Sequence, residues 1–281
     1  MHLDAGCELI FAVTETTPMV LMLRPRSGSS QWVAQETYEF QPHVFAVEYT
    51  DGYGNLCQRL VAAPGSFHIW TRALVETADT IDVAPNVPLT PIQGVPDTFL
   101  QFLLPSRYCQ SDDPYLGDMA QQIVDGATPG YDQVAAICRW IHSHITYRYG
   151  SSDTSTSALN TLEQKAGVCR DFVHLGMSLC RCLNIPARMV VGYLYGLEPM
   201  DQHAWFEAFV DGRWFVFDAT QETARGGRIA LAYGRDAADV AMVTHFGSAQ
   251  LQDMHVWVEA VARSSSYERP DSLTKGSFDA L

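Results

Sequence analysis

Lysine is nearly missing from this chain: of 18 basic residues only Lys165 and Lys275 are lysines, against 32 acidic ones, which leaves a formal net charge of −14. That balance argues against sequence-independent nucleic-acid binding, whose affinity comes from cations laid along phosphates. An anionic membrane surface is disfavoured for the same reason. Nor does any stretch approach the ~18 consecutive apolar residues of a spanning helix. The first six residues, Met1-His2-Leu3-Asp4-Ala5-Gly6, offer neither the basic start nor the apolar core of a leader. The seven cysteines (7, 57, 109, 138, 169, 180 and 182) are odd in number and irregularly spaced, which is no disulfide framework. Free thiols in a reducing, cytoplasmic compartment are the expectation. Zinc spacing is absent too: Cys180-Arg181-Cys182 has no second Cys or His pair, and His142 and His144, two apart, face different ways on a helix. No EF-hand-like ligand loop occurs, and the acidic runs Asp112-Asp113 and 236–239 read as solvated charge. No metal and no cofactor is expected.

What is present is a chain of 281 residues with 47% hydrophobic and 18% charged residues, the balance of a folded protein with a sizeable core. The front reads as β: residues 7–15, 18–24, 32–40, 44–50, 56–62 and 67–77 are short apolar or alternating runs divided by turn residues, notably Asp51-Gly52-Tyr53-Gly54-Asn55. Five prolines between 85 and 105 mark a connector. Helical texture follows at 118–125, after Thr128-Pro129, and at 158–165. Val134, Ile137, Ile141 and Ile145 define one buried stripe, and Phe172, Leu175, Leu179, Cys182 and Leu183 define another that Asn184 and Pro186 end. Strands are expected at 188–195, 203–210, 214–220 and 255–261. The organisation expected is therefore α+β: a β-rich N-terminal domain with its Pro-rich connector (1–105), a second domain (106–263), and a polar, frayed tail (264–281).

Chemistry concentrates in the second domain. Gly167 breaks one helix and Cys169 opens the next, where unpaired N–H groups and the positive end of the helix dipole gather. The dipole supplies only ~0.3–1 kcal/mol, whereas a papain-like thiolate needs roughly 5 kcal/mol of stabilisation. A cation must therefore stand beside the sulfur. The Asp211-Gly212 pair suits a two-residue type I′ turn. With that turn Val210 pairs with Arg213, His203 falls opposite Thr220 and Asp218 opposite Trp205, so His203 and Asp218 share a face as diagonal neighbours about 7–8 Å apart. A three-residue loop would put them on opposite faces. Among apolar neighbours such a pair must satisfy itself, with Asp218 fixing one imidazole nitrogen and the other free for the thiol. His174, about 140° around the helix from Cys169, cannot be its partner. The loop at 195–202, with Met200, is expected to form part of a cleft rim.

The stretch Gly167-Val168-Cys169-Arg170-Asp171-Phe172-Val173-His174-Leu175 and the following Cys180-Arg181-Cys182-Leu183-Asn184-Ile185-Pro186-Ala187-Arg188-Met189-Val190-Val191-Gly192-Tyr193 resemble the core of the transglutaminase-like superfamily. His203-Ala204-Trp205-Phe206-Glu207-Ala208-Phe209 and Trp214-Phe215-Val216-Phe217-Asp218-Ala219-Thr220 resemble its histidine and aspartate strands. The layout is similar to bacterial members of the cysteine-protease type. The resemblance implies a papain/transglutaminase-like core, a nucleophile helix packed on an antiparallel sheet, with Cys169, His203 and Asp218 as a triad. It implies acyl transfer through a thioester on a peptide or protein substrate, with water or an amine as acceptor: hydrolysis of a peptide or isopeptide bond first, amide cross-linking or deamidation second, a non-catalytic binding protein third. Arylamine acetyltransferases share the residue order but carry an arginine-glycine-rich cysteine motif that does not precede Cys169. Animal transglutaminases place a tryptophan upstream as an oxyanion donor; here that neighbourhood reads Ser155-Thr156-Ser157, which leaves those hydroxyls or Gln164 as candidates beside the Cys169 amide.

Overall fold

Alternating apolar residues build the inner strands of the front of the molecule. In β1 (His2–Val13) every second side chain from Leu3 to Val13 is buried, and in β2 (Thr17–Arg24) Met19, Leu21 and Leu23 are. β3 (Gln31–Gln41), β4 (Val47–Thr50), β5 (Leu56–Ala62) and β6 (Gly65–Thr77) complete this region. The computed structural model describes residues 1–223 and 225–262, so the expected tail at 264–281 lies outside the described residues.

After the connector come α1 (Pro114–Ile123), α2 (Tyr131–His144), β7 (Thr146–Tyr147), α3 (Ala158–Gln164), β8 (Ala166–Gly167) and α4 (Cys169–Cys182). β9 (Ala187–Leu194), β10 (His203–Val210), β11 (Arg213–Phe217), β12 (Arg228–Gly234), β13 (Val243–His245) and β14 (Ala249–Ala260) follow. The strands form two front sheets, β14-β1-β6-β3 and β13-β2-β5-β4, a core sheet β11-β10-β9-β12, and the parallel pair β7-β8. The two front sheets share one apolar core. α4 is the central helix, with eleven of its residues buried. It lies against β9, β10 and the other three helices, where Phe172, Leu175 and Leu179 meet Phe206, Ala208 and Phe215. At roughly 1.5–3 kcal/mol for each fully buried Leu or Phe, this layer dominates the stability of the second half.

Several expectations shift. α1 begins four residues earlier than its apolar pattern suggests, because Asp113 accepts a hydrogen bond from the Tyr115 amide (2.9 Å) and Pro114 fits the first turn. α2 begins after Gly130, with Gln133 reaching back to the Gly130 amide (3.1 Å), and not at Thr128-Pro129. The aspartates read as solvated are largely engaged: Asp113 caps α1, buried Asp236 accepts from the Tyr108 and Ala238 amides (2.9 Å each), and Asp239 pairs with Arg235. β13 and β14 pair with β2 and β1, so the chain returns to the front sheets inside the segment 106–263 that sequence alone assigns to the second domain. A strand's alternation shows which face it buries, not which partner it joins.

The front also closes the free edge of the core sheet. The Gln31 amide donates to the Ala230 carbonyl (2.9 Å) and accepts from the Ala230 N–H (2.8 Å); Asn55 does the same at Tyr233, both at 2.8 Å. Two buried side chains thus act as fragments of a missing neighbour strand along β12. Among the described residues, no helix is long and apolar enough to cross a membrane.

Candidate active site

The start of α4 is built by its own first turn. Val168 is extended and its amide donates to the Asp171 carboxylate (2.8 Å), a hydrogen bond that fixes where helical geometry begins and makes Cys169 the first helical residue. Gly167 is required there: a Cβ would sit 2.6 Å from the Asp171 Cβ. Arg170 donates to Ser152 (3.2 Å) and to the Asp153 carbonyl (2.7 Å), tying the polar loop to the same turn.

The β10–β11 hairpin has the expected register, Val210 opposite Arg213 and Phe206 opposite Phe217. Asp211 (φ 49°) and Gly212 (φ 76°) both take left-handed conformations, as a type I′ turn demands. Beyond the paired residues, His203 Nε2–H donates to Asp218 Oδ2 at 2.8 Å, with both side chains 2% exposed. Asp218 accepts three further hydrogen bonds, from the Thr220 amide (3.1 Å), the Thr220 hydroxyl (2.7 Å) and Arg228 Nη2 (2.8 Å). With Nε2 committed to Asp218, Nδ1 is the imidazole nitrogen left for the Cys169 sulfur.

The charges follow from this packing. Burial alone would depress His203, but its hydrogen bonds and charge interactions with Asp218 and Cys169 prevail and raise its pKa to about 9. Burial alone would raise Asp218; the hydrogen bond and charge of His203, the Arg228 guanidinium and Thr220 instead hold its carboxyl well below the usual range. The six other cysteines all have thiols pushed up, chiefly by burial. The site can therefore hold an imidazolium beside a partly exposed sulfur at neutral pH.

The oxyanion candidates sit as follows. Ser155 and Thr156 hydroxyls bind Asp153 (2.6 and 3.3 Å), and the Ser157 hydroxyl binds Asn160 at the start of α3 (2.9 Å). Gln164 is exposed at the last position of α3, with no hydrogen bond to the Cys169 turn. Sequence reasoning missed Tyr147. The β7–β8 pair places it opposite Gly167, with its ring against Phe172. Burial, then the nearby Cys169 and Tyr149, push its phenol up, while a hydrogen bond from the Cys169 amide pulls it down. A two-residue strand has no periodicity by which to find it.

His174 is buried; its Nε2 accepts from the Ala237 amide (3.2 Å), and burial lowers its pKa to about 3, so it stays neutral. Met200, expected at a cleft rim, packs against the front core. Among the described residues no three His, Cys, Asp or Glu side chains converge to hold a metal ion.

The sequence profile of the transglutaminase-like superfamily matches residues 117–219, a span that holds Cys169, His203 and Asp218. A crystal structure titled "a Putative Cysteine Protease from Cytophaga hutchinsonii" is similar over 95% of this chain and 92% of that one, with 34% identity and a TM-score of 0.86. The chain belongs to the transglutaminase-like superfamily. The likeness to this family member extends over the front sheets as well as the core. An uncharacterized protein of Mycobacterium leprae is 29% identical over 232 residues, which are 78% of this chain and 82% of that protein. One from Mycobacterium tuberculosis is 27% identical over 223 residues, 68% of each chain. A transglutaminase-like core of this kind supports thiol-dependent chemistry in general.

Proposed function

We propose that this protein is a thiol-dependent acyl-transfer enzyme that hydrolyses a peptide or isopeptide bond of a peptide or protein substrate. The observation that carries the reading is the imidazole of His203, held through Nε2 by an ionised, four-fold hydrogen-bonded Asp218, with the Cys169 side chain among the groups that raise its pKa. That arrangement stores the proton taken from the thiol on His203 and leaves a thiolate as nucleophile. The sulfur attacks the scissile carbonyl carbon, and the developing oxyanion takes the Cys169 amide at the helix tip in place of the Tyr147 phenol. His203 Nδ1–H then protonates the leaving amine as the C–N bond breaks, giving a thioester. Water, deprotonated by the now neutral His203, attacks the thioester; the thiolate departs, the acid is released and the imidazolium is restored. Asp218 holds the ring in one orientation through both halves. The unpaired cysteines among the described residues fit a reducing, cytoplasmic setting.

Incubating the protein with glutamine-containing peptides, with and without a primary amine, tests the reading. New peptide termini in both conditions, lost in Cys169→Ala, support hydrolysis. Ammonia release with amine incorporation would instead assign cross-linking, and no Cys169-dependent product with any peptide pool would leave only a binding protein.

A further inference from the structure

Arg228, the first residue of β12, is 6% exposed, and its guanidinium reaches the same carboxylate oxygen that His203 uses. Its Nε donates to the Arg225 carbonyl (3.2 Å), its guanidinium carbon lies 5.1 Å from the Trp205 ring centroid, and Nη1 is buried with no hydrogen-bond partner. Arg181 shows what a buried arginine looks like when it only holds the fold: its guanidinium donates to the carbonyls of Leu104, Ala187 and Arg235 and to the Ser106 hydroxyl. Arg228 has one carboxylate, one carbonyl and one aromatic face. Its carbonyl is in turn held by the Thr77 hydroxyl of β6 (2.9 Å), so the front sandwich fixes its position.

The count of charges gives this contact its meaning. A thiolate, an imidazolium and an aspartate sum to one net negative charge; the guanidinium makes the set neutral. We propose, building on the acyl-transfer reading, that Arg228 is a positioning residue whose charge balances the buried cluster and lets the Cys169 thiolate and His203 imidazolium coexist at neutral pH. Without it, the net negative cluster disfavours the thiolate and makes the imidazole more basic, so both protonation steps move to higher pH. The other groups facing the cluster do not supply this charge. Tyr147 of β7 and Cys138 of α2 are kept neutral by burial. At the start of α4, buried Asp171 offsets Arg170 (3.5 Å), so that pair adds no net charge, while Arg225 is turned to the Gly196 carbonyl and His142 to that of Ala219.

The test is the rate of Cys169 alkylation by iodoacetamide against pH, read by peptide mass spectrometry on the full chain. Arg228→Gln, which keeps a donor and removes the charge, should raise the inflection by about one pH unit, a tenfold slower reaction on the acid side. Arg228→Lys, which keeps the charge, should stay within about 0.3 unit of wild type, less than a third of that displacement. Coincident profiles for wild type and Arg228→Gln overturn the proposal while the acyl-transfer reading stands. A wild-type sulfur that titrates as an ordinary thiol, and is indifferent to His203→Ala, would remove the reading itself. Should Arg228→Gln fail to fold, Arg228→Met of similar volume replaces it; if both neutral variants unfold while Arg228→Lys folds, the residue serves the fold alone and the proposal falls.

Discussion

Asp218 and His203 shift in opposite directions, and the pH dependence of the molecule follows. Its folded carboxyl is held low, so it contributes stability that is present above the ordinary aspartate value of about 3.9 and is lost as acid protonates it. His203 is held high, so its contribution is present below its free value of 6.5 and disappears as pH climbs through about 9. Peptide turnover should accordingly fall on an alkaline limb near pH 9, where the imidazolium is lost. Asp218→Asn removes the anchor: turnover should drop on the order of 10²–10⁴-fold, as in other triads that lose their carboxylate, and the alkaline limb should move toward neutrality. A variant with an unchanged limb would show that Asp218 does not set the His203 charge. Alkylation offers a second reading at this scale. Because the other six thiols are pushed up, iodoacetamide at pH 6 should modify Cys169 and leave the remaining cysteines intact. Peptide mapping that finds even labelling, or none at Cys169, contradicts an activated sulfur.

At the scale of elements, the start of α4 is where one atom matters. Gly167→Ala drives a methyl into Asp171, whose carboxylate fixes the first turn. Overpacking of this kind costs about 1–3 kcal/mol, and the loss should appear both as a lower urea midpoint and as slower alkylation of Cys169. A loss of stability alone would separate the cap from the chemistry. The same scale shows what was legible beforehand. The Asp211-Gly212 turn set the register of β10 and β11, and the register put His203 and Asp218 on one face, because pairing propagates two residues at a time from a turn whose geometry glycine and aspartate dictate. The stripes of α2 and α4 were legible because 3.6-residue periodicity survives in any amphipathic helix. β12 was not: all seven of its residues are buried, so it neither alternates nor carries a helical stripe, and Arg228 within it gives no local sign of reaching Asp218 ten residues away. Tyr147, on a two-residue strand paired to Gly167, was hidden for a different reason: two residues carry no periodicity.

Over the whole molecule, the front sandwich and the core sheet depend on each other along β12. That strand is the sheet's edge, and edge strands left open invite pairing with other chains. Here the edge is closed by two side-chain amides, Gln31 at the start of β3 and Asn55 at the turn before β5, each donating to and accepting from one backbone position. β13 and β14, returning from the core to pair with β2 and β1, fasten the same two halves from the other side. The arrangement predicts that the halves unfold together. Asn55→Ala leaves the N–H and C=O of Tyr233 unpaired in a buried site, at about 1–3 kcal/mol per orphaned group, and Gln31→Ala does the same at Ala230. Each variant should lower the urea midpoint of both the front and the core by the same amount, followed by tryptophan fluorescence at Trp32 of the front and Trp205 of the core in single-tryptophan backgrounds. Because Thr77 carries the Arg228 carbonyl on the same strand, loosening this edge should also slow Cys169 alkylation, although Asn55 touches none of the reacting groups. Two separate transitions, with only the core probe displaced, would mean that the sandwich merely sits beside the core sheet and does not brace it.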